Sequence, residues 1–210
     1  MHILIVHDQK IPVAGYGGTE RVIWGLAKSL SDLGHQVTFL VPEGSHCPFA
    51  TVLKWNPNLS LNEQIPAHID VVHVNHNPQE SIAKPYVVTI HGNPSADNTL
   101  DKNAIFVSQN HANRYGSNSF VHNGLDWADY GKPNLTQSRD YVHFLGKAAD
   151  AYNKLDCHTH ARDVFDSLTM AKKYVLAYEK VLNGHFLSQS TPHLLEKDPA
   201  KFLPWNKKSL

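Results

Sequence analysis

Chemistry in this chain is concentrated where glycine, histidine and small polar residues follow apolar runs. Gly15-Tyr16-Gly17-Gly18-Thr19-Glu20 stands between Ile3-Leu4-Ile5-Val6 and a helical run that begins near Thr19. Glycine lets a backbone approach a ligand closely, and a helix N-terminus offers unpaired N–H groups with a partial positive charge. Gly17, Gly18 and Thr19 are therefore expected to hold an anion such as a diphosphate, or a sugar. His91-Gly92 follows Tyr86-Val87-Val88-Thr89-Ile90, which puts a titratable ring at the C-terminal end of a strand, the edge where open α/β sheets bind ligands. Ser108, Asn110 and His111 follow Ala104-Ile105-Phe106-Val107 in the same way; Asn110 falls on the expected crevice, and Ser108 reads as a helix cap. Cys157-His158-Thr159-His160 carries metal-ligand residue types, but no second cluster completes four ligands at a recognised spacing, and no metal is expected.

Holding such residues together takes alternating strands and helices. Residues 2–7 read as a strand buried on both faces, and 19–33 as a helix with Val22, Ile23, Leu26, Ala27 and Leu30 on one side and Gly34 as its left-handed stop. Further strands are expected at 36–41, 51–53, 69–74, 86–90, 104–107 and 120–122, with helical turns at 79–83 and 111–115 and no helix between Pro42 and Pro66. The pattern predicts an α/β fold, a doubly wound, mainly parallel sheet filling roughly residues 1–125. Met170, Ala171, Tyr174, Ala177, Tyr178, Val181 and Leu182 form an apolar stripe at helical spacing, so a C-terminal helix is expected from Asp166, with its tyrosines as core packing.

Composition narrows the function classes. Lysine plus arginine and aspartate plus glutamate number 19 each, so no basic field exists for nucleic acid or an anionic membrane surface. The opening Met-His-Ile-Leu-Ile-Val lacks the basic region and apolar length of a signal peptide, which makes the cytoplasm the expected location and the cysteines, Cys47 and Cys157, expected free thiols.

Gly17-Gly18-Thr19-Glu20 with its helix, Gly34-His35-Gln36-Val37, Thr89-Ile90-His91-Gly92 and Val121-His122-Asn123-Gly124-Leu125-Asp126 together resemble, in order, the N-terminal domain of family 4 glycosyltransferases of the GT-B type. That resemblance implies a Rossmann-like acceptor-side domain at 1–130, transfer of a sugar from a nucleotide-sugar donor that is substrate rather than cofactor, and a sugar-contacting role for His91 at the reaction centre. It also implies that Tyr141-Val142-His143-Phe144-Leu145-Gly146-Lys147 begins the second domain, with Lys147 and Lys154 matching the family's phosphate-binding basic pair. There the chain departs from the pattern. The interval from Lys147 to Arg162 is too short for a βαβ unit, and the family's two glutamates eight positions apart have no counterpart. Residues 131–161 thus read as a linker and remnant of the donor domain, and 162–210 as a C-terminal helix and tail that packs back on the first domain.

Three functions fit these features: a glycosyltransferase, a shortened and inactive ligand-binding module of that family, and a nicotinamide-dependent oxidoreductase. The last lacks the G-x-G-x-x-G turn and the acidic residue closing the second strand, where Val41-Pro42 stands. Missing donor-side residues favour the binding module.

Overall fold

Ile3, Leu4, Ile5 and Val6 are all fully buried, as a strand covered on both faces must be. They belong to β1 (His2–Val6), the centre of a single sheet in the computed structural model, which describes residues 1–13, 15, 17–129 and 154–195. Its partners are β2 (Gln36–Val41), β3 (Thr51–Lys54), β4 (Val71–Val74), β5 (Tyr86–Ile90) and β6 (Ala104–Phe106), in the order β3-β2-β1-β4-β5-β6 with every pairing parallel. The helices are α1 (Gly18–Asp32), α2 (Leu61–Gln64), α3 (Gln109–Arg114), α4 (Lys154–Val164) and α5 (Ser167–Leu182), with a 3₁₀ turn at Trp127–Asp129. The fold is the expected α/β, Rossmann-like arrangement. Among the described residues no helix is long and apolar enough to cross a membrane.

Register decides which side chains share a face. Ile3 pairs with Val37 and Val71, Ile5 with Phe39 and His73, and His73 with Val87. These residues and Val41 look toward α1 and α5, with which the apolar ones form the largest core cluster. Leu4, Val6, Leu40, Val72 and Val74 look the other way, onto Leu61, Ile69 and Ile82. Because side chains alternate along a strand, His7, Asn75, Thr89 and His91 all continue the α1/α5 face toward the C-terminal edge.

The C-terminal helix forms as its stripe predicts. Asp166 caps α5 by accepting hydrogen bonds from Leu168 N at 2.9 Å and Thr169 N at 3.1 Å, while Met170, Ala171, Tyr174, Tyr178 and Val181 enter the core beside α1. The chain is stitched to the sheet domain just before this: Leu125 N donates to the Phe165 carbonyl at 2.8 Å, Ser167 N donates to the Leu125 carbonyl at 2.9 Å, and the Ser29 and Ser167 hydroxyls meet at 2.9 Å.

Several local expectations are corrected. The strand at 120–122 is a single parallel bridge between Phe106 and Phe120, because Ser108 starts α3 directly after β6 and leaves no further backbone to pair. Residues 79–83 are not helical. Their polar groups serve α2 instead: Glu80 accepts from Leu61 N at 2.7 Å, and Ala83 N donates to Asn62 Oδ1 at 2.8 Å. That short helix lies in the stretch expected to have none, and its signal was the capping box Ser60-Leu61-Asn62-Glu63, in which Ser60 N donates to Glu63 Oε2 at 2.8 Å. α4 occupies Lys154–Val164. The expected strand at 141–147 and Lys147 lie outside the described residues.

Candidate functional site

In a sheet of this order the chain reverses its direction of winding between β1 and β4, and loops leaving neighbouring strands there diverge to leave a crevice. His7 and Asp8 end β1 at this point, Asn75 and His76 end β4, and His91 ends β5. Glu20 reaches the same place from the first turn of α1.

His91 Nε2 lies 3.0 Å from Asn75 Oδ1. The Asn75 amide is oriented by its Nδ2, which donates to the Val6 carbonyl at 3.3 Å, so Oδ1 is the accepting atom and His91 Nε2 carries the hydrogen. Nδ1 is left as an acceptor for an incoming hydroxyl. Burial pushes the His91 pKa from the ordinary 6.5 down to about 4, with His7 and His111 adding to the fall and Glu20 opposing it. At neutral pH His91 is therefore an uncharged hydrogen-bonding ring and a weak base.

His7 is only 5% exposed, and among the described residues neither of its ring nitrogens has a hydrogen-bond partner. Nε2 lies 3.6 Å from Glu20 Oε1 and Nδ1 lies 3.6 Å from Asp8 Oδ1. Burial also lowers the His76 pKa, Asp8 pulling against it and His7 with it, which places a third imidazole in the group. A hollow of about 280 Å³ opens beside Asn75, His76, His91 and Asn93. Its rim is pinned by α3 and Tyr115: Arg114 donates to Asn93 Oδ1 at 2.9 Å and the Tyr115 hydroxyl to the Pro94 carbonyl at 2.8 Å. A second hollow of about 350 Å³ is bounded by Val13, Glu20, Trp24, Leu125, Asp126 and Asp129. Lys28 pairs with Asp126 there and holds the Asp126 carboxyl below the usual range.

Gly17 and Gly18 sit at the start of α1 as expected, and they differ. Gly17 is buried, and a Cβ on it would meet Glu20 Oε2 and Val13 Cγ1 at 2.7 Å, whereas Gly18 is exposed with no atom of the described residues within 4 Å of a Cβ. The Glu20 carboxylate thus lies against the helix N-terminus and already complements its dipole. Thr19 is half-buried in the first turn. Ser108 caps α3, accepting from His111 N at 3.1 Å, and Asn110 is exposed on that helix. Lys154 opens α4, and its side chain is outside the described part. Among the described residues no group of three His, Cys, Asp or Glu side chains is arranged to hold a metal ion.

His7, Glu20 and Asn75 are the members of this group that the sequence reading did not single out. Strand register brings His7 and Asn75 to His91, the first turn of α1 brings Glu20, and the one visible sign was a histidine closing an otherwise apolar first strand.

Fold and crevice together define a Rossmann-like α/β protein with a histidine-lined polar site at the turning point of its sheet. No protein-family model and no curated protein sequence matches the chain. Among solved structures it is similar to AviGT4, a glycosyltransferase involved in avilamycin A biosynthesis, with a TM-score of 0.49 and 20% identity over 61% of this chain and 44% of that one. The match spans less than half the length of that structure.

Proposed function

We propose that this chain binds a sugar-containing ligand, a nucleotide sugar or its acceptor, in the crevice where β1, β4 and β5 end, and that it does so as a ligand-binding relative of GT-B glycosyltransferases rather than as a complete transferase. The observation that carries this reading is the convergence of His7, Glu20, Asn75 and His91 at the turning point of the sheet. Uncharged imidazole, amide and carboxylate acceptors match the hydroxyl groups of a sugar. His91 Nδ1 is assigned to a sugar hydroxyl, the Gly17, Gly18 and Thr19 backbone to a diphosphate approaching from the open side of Gly18, and Asn110, Lys147 and Lys154 to the outer phosphate. Transfer needs donor and acceptor held in line, and much of the acceleration comes from that positioning. The short interval between Lys147 and Arg162 supplies no donor-side unit for it.

The strand order is shared with dinucleotide-binding folds, yet the turn after β1 lacks their glycine spacing and Val41-Pro42 stands where a ribose-binding carboxylate is needed. Calorimetric titration with UDP-glucose, GDP-mannose, NAD and free hexoses tests the reading. Binding of a nucleotide sugar or hexose that His91→Ala weakens supports it, and binding of NAD alone overturns it. Incubation with radiolabelled nucleotide sugars and a panel of acceptors is expected to give no transfer; turnover abolished by His91→Ala makes the chain a working transferase.

A further inference from the structure

Directly beneath the crevice, on the same face of the sheet, a chain of buried polar groups runs through the core that α1 and α5 form with the sheet. Tyr178 Oη lies 2.8 Å from His73 Nδ1, His73 Nε2 lies 2.7 Å from Thr89 Oγ1, and Thr89 Oγ1 lies 2.9 Å from Tyr174 Oη. All four residues are at most 2% exposed. His73 precedes Asn75 by one same-face step along β4 and its continuation, and Thr89 precedes His91 by one such step along β5. Both strands that carry the hydrogen-bonded His91–Asn75 pair are therefore gripped one step below it by hydroxyl groups of a single helix, α5.

We infer that Tyr174 and Tyr178 are positioning residues for the His91–Asn75 pair, acting through Thr89 and His73, and that the pair of tyrosines sets the tautomer of His73. The inference rests on the reading of that pair as the ligand contact. A hydrogen count makes it specific. A neutral His73 carries one N–H, and the three hydroxyls carry one hydrogen each, so four hydrogens meet three contacts. If Nδ1 is protonated it donates to Tyr178, Thr89 donates to Nε2 and Tyr174 donates to Thr89. If Nε2 is protonated it donates to Thr89, and Tyr178 donates to Nδ1. Burial drives the His73 pKa down to about 3, which keeps the ring neutral and confines it to these two tautomers. Removing one tyrosine hydroxyl removes the reason for one of them. Tyr178→Phe leaves Nδ1 without a partner and favours the Nε2–H form, while Tyr174→Phe takes away the acceptor that the Thr89 hydrogen has in the Nε2–H form and favours Nδ1–H, in which Thr89 donates to Nε2.

The experiment records imidazole ¹⁵N–¹H correlations in the ligand-free protein for wild type, Tyr178→Phe, Tyr174→Phe, Thr89→Ser and Val181→Ala, followed by calorimetric titration with UDP-glucose. Expected are opposite His73 tautomers in the two tyrosine variants, displaced His91 imidazole signals in both, wild-type signals in Thr89→Ser, and UDP-glucose affinity lowered roughly two- to tenfold in the tyrosine variants, the range of one ordinary hydrogen bond. Val181→Ala loosens the packing of α5 without touching the chain of hydroxyls and is expected to lower the melting temperature while leaving the His91 signals in place. Unmoved His91 signals in both tyrosine variants, the same His73 tautomer in both, or equal displacement by Val181→Ala overturns the inference. If UDP-glucose binds none of the proteins, the ligand reading fails, and the His91 and His73 signals of the free protein still decide this one.

Discussion

Gly124 and Asp166 approach so closely that a Cβ on Gly124 would stand 2.5 Å from the Asp166 carbonyl oxygen. That contact is where the Asn123-Gly124-Leu125-Asp126 segment meets the cap of α5, and the Gly124 amide beside it lies 3.1 Å from Met170 Sδ. Glycine is required here by backbone against backbone, since neither partner is a side chain that can swing aside. Gly124→Ala is expected to destabilise the protein by about 1–3 kcal/mol, the usual range for overpacking a tight site. Urea unfolding checks this; an unchanged midpoint shows that the α5 cap can shift without cost.

α5 should be inseparable from the sheet domain. Met170, Tyr174, Tyr178 and Val181 are each at most 6% exposed, and burying such side chains contributes about 1.5–3 kcal/mol apiece, or roughly 6–12 kcal/mol together. A domain's net stability is of the same order, about 5–15 kcal/mol. A chain ending after Asp129 is therefore expected to lose its cooperative thermal transition. The same melting temperature in the shortened chain and the full protein would sink the claim.

Elements whose pattern is carried by their own residues were legible, and contacts made by the fold were not. The apolar run Ile3–Val6 and the stripes Val22 to Leu30 and Met170 to Val181 carry their periodicity openly, so β1, α1 and α5 follow from the residues alone. Tyr174 and Tyr178 read correctly as core, yet nothing in a helical stripe reveals that their hydroxyls meet Thr89 and His73, which are distant in the chain. His91 was visible because it follows a strand and precedes glycine. Its partner Asn75 was hidden, because which residue of β4 stands beside the end of β5 depends on register. The three-residue length of β6 was also hidden, since it depends on where Ser108 turns the chain into α3.

Two buried imidazoles make stability depend on acid. His73 and His91 titrate at about 3 and about 4 in the folded chain against an ordinary value of 6.5, so below pH 6.5 the unfolded chain binds protons that the folded one refuses. Stability therefore rises with pH across this window and is lost as pH falls from about 6.5 toward 4, each histidine contributing up to about 1.4 kcal/mol per pH unit. Urea unfolding at intervals between pH 7.5 and 4.5 is expected to show this decline, and His91→Gln should make it shallower. A variant with an undiminished slope would mean that His91 does not resist protonation in the folded protein.

Gly18 offers the cleanest test of how a ligand approaches the start of α1. A Cβ there meets no atom of the described residues within 4 Å, and the residue is exposed, so Gly18→Val should fold normally. It also replaces a poor helix former with a better one, worth a few tenths of a kcal/mol at most. The valine side chain projects into the space from which a diphosphate must come to reach the Gly17, Gly18 and Thr19 amides. The Glu20 carboxylate lies against the same turn, so any anion binding there works against a fixed negative charge and has little affinity to spare. Gly18→Val is thus expected to abolish measurable UDP-glucose binding without lowering the melting temperature, while Glu20→Gln, which keeps an acceptor oxygen for a sugar hydroxyl and removes the charge that opposes the diphosphate, strengthens binding. Calorimetry on the two variants separates the outcomes. If Gly18→Val binds UDP-glucose as wild type does, the diphosphate does not lie at this turn and the glycines serve only the close packing of Gly17 against Glu20 and Val13.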